Sequence, residues 1–187
     1  LEGVDVLKYD PEEAKRLWEA ADQINKFDGE LEISYNADGG HQAWIDAVAN
    51  SIRNAIGIEA VGNAYPDFKS MLDDMDNDAV KGAFRTGWSD DYPSLGNFLI
   101  PLYGSNGSSN YARYSNPAVD TLLSDAATAA SPEAAAEKYN EVQTILFEDL
   151  PAIPLWNQNV TGGYSENVEN VEFSWRSLPV LHQITKN

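Results

Sequence analysis

Cysteine is absent from this sequence, and histidine and methionine occur only twice each. Without cysteine there is no disulfide, no thiolate-bound metal and no cysteine nucleophile. Basic residues are scarce, 12 against 30 acidic ones, for a net charge of −18. A surface so poor in lysine and arginine argues against nucleic acid, whose phosphates need clustered cations, and against docking on an anionic membrane. It favours solubility and weakly favours cationic ligands, and by itself it describes a solvated, self-repelling surface. No apolar run approaches the roughly 18 residues of a membrane-spanning helix. A secretory leader is not recognisable: Leu1 opens an acidic stretch that already reads as structured, so a secreted chain of this kind is expected to be a processed or excised piece. No G-x-S-x-G elbow, Walker loop or dinucleotide fingerprint is found, and no cofactor is expected.

What remains is a chain built to fold. Of its 187 residues 43% are hydrophobic, and five Trp, nine Tyr and six Phe exceed what a disordered chain carries. The expectation is a single domain over residues 1–187. Asp10-Pro11-Glu12-Glu13 predicts a helix start, with Asp10 as cap, Pro11 in the first turn and Glu13 closing a capping box. Leu31 to Tyr35 alternates as a half-buried strand, and Trp44, Val48, Ile52 and Ile56 mark a helix that stops at Gly57. A second strand is expected over 58–61, a helix from Pro66 and a third strand over 83–88. This alternation predicts an α/β fold with parallel neighbours. The polar run Gly104–Asn110 reads as a surface loop, ordered or responsive to ligand. Asn116-Pro117 and Ser131-Pro132 open two more helices. Residues 150–156 read as an extended, proline-punctuated stretch, 157–164 as irregular strand, and 167–187 as weakly alternating chain without a helix.

The segment Phe84-Arg85-Thr86-Gly87-Trp88-Ser89-Asp90-Asp91-Tyr92-Pro93 carries the chemistry. It lies where a strand ends, the place where ligands bind in open α/β sheets. A base, an aromatic ring and two acids within eight residues suit a zwitterion, with carboxylate to Arg85 and ammonium to an Asp. The same residues could also form a strand end with a surface ion pair. Other candidates are weaker. His41 and His182 stand far apart, so no metal site is expected; His41, after two glycines, reads as a surface or capping residue. Asp73, Asp74, Asp76 and Asp78 lack the glycine and final glutamate of a calcium loop and read as a helix end and solvated turn. Trp18, Trp44 and Tyr139 fall on apolar helix faces and are expected in the core, while Trp156 is open.

Five motifs in one order give a family resemblance. Gly87-Trp88-Ser89-Asp90-Asp91-Tyr92-Pro93 is similar to the G-W-x-x-D-Y-P run of the dipeptide and oligopeptide solute-binding proteins, family 5 of the bacterial extracellular solute-binding proteins. Tyr9-Asp10-Pro11-Glu12-Glu13-Ala14-Lys15 resembles its Y-D-P-E-K-A-K helix start, and Ile56-Gly57-Ile58 its L-G-I before a strand. Asn110 with Tyr114-Ser115-Asn116-Pro117-Ala118-Val119-Asp120 resembles N-x-x-x-Y-x-N-P-x-x-D, and Asp149-Leu150-Pro151-Ala152-Ile153-Pro154-Leu155 resembles D-x-P-x-I-P-L. The resemblance runs from Tyr9 to Tyr164 and leaves the last twenty or so residues unmatched.

The resemblance implies a periplasmic-binding-protein type II-like lobe, a mixed, mostly parallel sheet flanked by helices, and the second, C-terminal lobe of a two-lobe protein nearly three times larger. It implies a substrate-binding component of an ABC importer rather than an enzyme. The component would be extracytoplasmic and lipid-anchored in the full-length protein, monomeric, and would hand a peptide or similar small solute to membrane permease subunits. By resemblance Asp91 matches the acid that pairs with a peptide's amino terminus, Arg85 a base that meets its carboxylate, and Trp88 an aromatic at the cleft; Asn110 and Tyr92 complete the expected ligand-binding set. The family's D-Y-P-D-P continues here as Tyr92-Pro93-Ser94-Leu95, which leaves the ligand open to oligosaccharide or metal chelate as well. The rival reading, an acid hydrolase using Asp90 and Asp91, suffers because neighbours on an extended chain point to opposite faces, whereas glycosidases need two converging acids.

Overall fold

The computed structural model describes residues 3–159 and 161–187. They cluster into two compact units, Val4–Gly87 and, with Gly3, Trp88–Asn187.

The first unit opens with helix α1, Pro11–Ile24. Asp10 caps it by accepting from the Glu13 amide at 2.9 Å. The expected capping box is not completed: the Glu13 carboxylate is taken by Arg16, at 2.6 Å from Nε and 2.5 Å from Nη2. Strand β1 (Leu31–Asn36) lies between β2 (Ala60–Tyr65) and β3 (Ala83–Phe84), and both pairings are parallel. Helices α2 (Gln42–Ile56) and α3 (Phe68–Asp76) both pack against β1.

That central place explains why the expected alternation of β1 fails. A parallel strand covered by helices is buried along its length, and Ile33, Ser34, Tyr35 and Asn36 are all buried, Ser34 completely. The core of this unit gathers Ile33, Tyr35, Ile45, Ala49 and Ala60. Helix α2 ends where expected, on Gly57 at φ 78°, whose amide donates to the Arg53 carbonyl at 3.0 Å. Arg53 then reaches forward to the Ala60 carbonyl; the Glu59 carbonyl accepts from the Leu31 amide at 2.9 Å, and β2 begins at Ala60, two residues later than the expected strand. Helix α3 likewise starts at Phe68 rather than Pro66, because Asp67 supplies the cap, accepting from the Ser70 amide at 2.7 Å. The third strand is shorter than the 83–88 expected. Its last sheet bond is the Arg85 amide to the Ser34 carbonyl, 2.8 Å.

The second unit is mainly helical. Helices α4 (Gly96–Tyr103), α5 (Pro117–Ala127) and α6 (Pro132–Asp149) enclose Leu99, Val119, Leu123, Ala126, Tyr139 and Val142. Val119 and Val142 are completely buried, and full burial of such a side chain contributes about 1.5–3 kcal/mol. Asn116 and Ser131 cap α5 and α6 as the sequence predicts. Helix α4 has no counterpart in the sequence reading. Its Gly-Asn-Phe-Leu-Ile-Pro-Leu-Tyr run holds Pro101, which removes a helical donor and normally argues against a helix; α4 ends two residues later, at Tyr103. Gly96 lets α4 approach α6, since a Cβ there would lie 2.4 Å from the Tyr139 hydroxyl. No strand is assigned over 157–164, of which Val160 lies outside the described residues. The tail forms a small antiparallel pair, β4 (Val168–Glu169) with β5 (Thr185–Lys186).

The α5 and α6 ends are tied by one acid. Asp149 accepts from the Tyr114 hydroxyl at 2.5 Å and from the Asn116 amide at 3.0 Å. Burial, then the bond to Asp149, pushes the Tyr114 phenol up to about 12, while the bonds from Tyr114 and Asn116 hold Asp149 below the usual carboxylate value. The raised Tyr114 pKa makes its bond stabilising below about 10; that stability is lost as pH rises through about 12. The depressed Asp149 pKa contributes stability that is lost as pH falls through its folded value. Burial also raises the Tyr65 and Tyr103 phenols, so an ultraviolet tyrosine titration should show a late-ionising phase that is smaller by one phenol in Tyr114→Phe. An unchanged late phase in that variant would refute the assignment.

Candidate functional site

In the first unit, polar side chains collect at the carboxyl ends of β1 and β3, the ligand end of an open parallel sheet. Arg85, one residue beyond β3, is half-buried and donates from Nη1 to Asn36 Oδ1 at 3.2 Å. Asn36, buried at the end of β1, donates in turn to Asp38 at 2.7 Å. Burial holds the Arg85 guanidinium below its usual value. His41 stands at the start of α2 without a capping bond; its Nδ1 accepts from the Trp44 indole at 3.2 Å. Burial first, then the Arg85 charge, lowers the His41 pKa, against an opposing pull from Asp38. A neutral imidazole and a guanidinium held by an amide make a neighbourhood fit for an anionic group. Sequence reasoning placed Arg85 here and missed Asn36 and Asp38, which lie just past the expected strand end at Tyr35, where the chain reads as a turn.

In the second unit, the loop before α4 carries Trp88, Asp91 and Tyr92. The Trp88 indole donates to Asn97 Oδ1 at 3.3 Å, and the Asp91 amide donates to the same oxygen at 2.9 Å. One buried asparagine thus brings Trp88 and Asp91 together. The Asp91 carboxylate is 70% exposed and accepts from Arg176 Nη2 at 3.3 Å. Arg176 also lies over the Trp175 ring, 5.9 Å from its centroid. Tyr92 is exposed on the same loop. Asn110 is different: its Nδ2 donates to the Gly104 and Tyr114 carbonyls at 3.0 and 2.7 Å, and its Oδ1 accepts from the Tyr114 amide at 3.0 Å. Its amide is engaged in holding the 104–114 loop, which is accordingly an ordered one. Asn97 and Arg176 were not legible in the sequence; Asn97 sits in a helix that went unread, and Arg176 in the unmatched tail.

The remaining candidates resolve simply. Asp73 accepts from Lys69 at 2.6 Å and Asp74 from the Tyr65 hydroxyl at 2.9 Å. Tyr139 is buried, Trp18 meets Phe27 edge-on at 5.4 Å, and Trp156 is exposed.

The family model for "Bacterial extracellular solute-binding proteins, family 5 Middle" matches residues 2–110. The chain is 31% identical to the periplasmic murein peptide-binding protein MppA of Escherichia coli, over 91% of this chain and 33% of that protein. It is 30% identical to heme-binding protein A of Haemophilus influenzae, over 79% of this chain and 27% of that one. The chain therefore spans about a third of the length of these relatives. The crystal structure of Haemophilus influenzae OppA in complex with RPPGFSPFR superposes with a TM-score of 0.75 at 21% identity, over all of this chain and 38% of that one. The likeness gives the fold: the periplasmic-binding-protein class, with the parallel sheet and flanking helices the sequence led us to expect.

Proposed function

The chain belongs to the bacterial extracellular solute-binding proteins, family 5, and from that premise we propose that it forms one lobe of the substrate-binding component of an ABC importer. It captures a peptide or similar small solute outside the cytoplasm and delivers it to membrane permease subunits. The full-length protein carries a lipid anchor and acts as a binding protein without catalysis. The family match over 2–110, which contains the Trp88–Tyr92 loop, carries this reading. Each polar neighbourhood, taken by itself, is chemically compatible with such a solute: in the first unit Arg85 with Asn36 offers a cation for a carboxylate, and in the second unit Asp91 offers an anion for an ammonium. Closure of two lobes around the solute follows from tighter binding to the closed state.

Titration calorimetry with a mixed library of short peptides tests the proposal. On this reading a single lobe supplies only part of the surface that encloses the solute, and the 187-residue chain is tested as that lobe. It should bind nothing tighter than roughly millimolar, about −4 kcal/mol. The two-lobed protein should bind at least one component a thousandfold or more tighter. Micromolar binding by the chain alone would sink the two-lobe reading; a two-lobed protein blind to every peptide would sink the peptide.

A further inference from the structure

We propose that Asn97 is a positioning residue of the ligand site, whose buried amide oxygen sets the Trp88 indole and the Asp91 backbone in a single geometry. The inference deepens the reading above and rests on its assignment of Asp91 to a ligand ammonium.

Asn97 is only 7% exposed. A buried asparagine must find partners for its amide; Asn110 uses its amide on backbone groups of its own 104–114 loop. Asn97 Oδ1 instead accepts two donors from the preceding loop, the Asp91 amide at 2.9 Å and the Trp88 indole at 3.3 Å. A carbonyl oxygen has two lone pairs, so this one is fully used, and both donors are fixed relative to one atom. That atom is itself anchored. Asn97 is the second residue of α4; its own amide donates to the Ser94 carbonyl at 3.0 Å. On one side of it Gly96 closes against Tyr139, and two residues on Leu99 enters the core. The carboxylate beyond this fixed backbone is left exposed, with Arg176 as its ion-pair partner. The arrangement holds the root of the Asp91 side chain and leaves its charge available. Alanine at 97 would leave two donors without an acceptor. Aspartate would keep the oxygen at the same reach.

The test uses Asn97→Ala and Asn97→Asp in the two-lobed protein, with trialanine and N-acetyl-trialanine as probes. Loss of a hydrogen bond that orients a binding charge is worth about 1.4 kcal/mol, so Asn97→Ala should weaken trialanine roughly tenfold. N-acetyl-trialanine, which offers no ammonium, should bind Asn97→Ala as it binds the wild type. A purely structural asparagine would weaken both peptides equally, and that result overturns the proposal. Hydrogen exchange of the Trp88 indole and the Asp91 amide gives an independent reading. Both should exchange faster in Asn97→Ala and stay protected in Asn97→Asp. Should the wild type fail to distinguish the two peptides, the ammonium reading of Asp91 fails, and exchange alone decides. Unchanged exchange in Asn97→Ala then overturns the positioning role, and faster exchange sustains it.

Discussion

Asn in place of Asp91 in the two-lobed protein is expected to weaken an amino-bearing ligand by about 2–5 kcal/mol, roughly thirty- to several-thousand-fold. The substitution keeps the shape and removes the charge. In the chain as described, the carboxylate is 70% exposed and its pair with Arg176 is 3.3 Å long. An exposed pair of that kind is worth about 0–1 kcal/mol, so the variant should fold almost as stably as the wild type. The large effect arises only when a second lobe encloses the ligand. A desolvated ammonium then needs its counter-charge, because leaving one partner buried and unpaired is costly. Arg176 has to yield Asp91 to the ligand, which a weak surface pair allows. Asp90→Asn is the matched control and should cost far less. Titration of both variants reads the result. If Asp90 proves sensitive and Asp91 silent, the site is off by one residue. Silence at both positions means that the ligand carries no ammonium at this point, in keeping with the loop's departure from D-Y-P-D-P.

Local chemistry was legible in the sequence wherever it was self-contained. Asp10, Asn116, Ser131 and Gly57 stop or start helices through bonds to their own neighbours, and each was readable from its type and position. What depended on partners distant in the chain was not. Strand β1 read as half-buried because nothing local says that it lies between two other strands. Helix α4 went unread because Pro101 is a breaker by its own chemistry, and only the packing of Leu99 and Gly96 against the rest of the unit makes the segment helical. The candidate residues of each unit divide in the same way. Arg85, Trp88, Asp91 and Tyr92 are close in sequence and were found together. Asn36, Asn97 and Arg176 act on them from 49, 6 and 85 residues away. Asn97 is near in sequence and was still missed, since an asparagine in an unread helix gives no sign of where its amide points. Asn110 shows the converse: it sits inside a family motif, yet its amide is wholly engaged in shaping its own loop.

A large stability loss from a single methyl group is expected at Gly82. This residue turns the chain into β3 with φ at 72°, and a Cβ added there would stand 2.6 Å from the Glu32 carbonyl oxygen and 3.4 Å from the Glu32 nitrogen. Two costs combine in Gly82→Ala. A left-handed backbone strains any L-residue by about 1–2 kcal/mol. The collision is with backbone of the central strand, which cannot swing aside as a side-chain tip could; overpacking of this kind typically costs about 1–3 kcal/mol more. Gly57→Ala separates the two. Gly57 has nearly the same φ, 78°, but a Cβ there meets nothing within 4 Å, so that variant carries the conformational cost alone. Urea unfolding of the 187-residue chain, followed by tryptophan fluorescence, should rank wild type above Gly57→Ala above Gly82→Ala. The last step down is the price of pushing β3 off β1. That displacement would also break the bond from the Arg85 amide to the Ser34 carbonyl and release Arg85 from Asn36. Equal losses in the two variants would show that β3 gives way freely. The place of Arg85 at the sheet's ligand end would then not be fixed by Gly82.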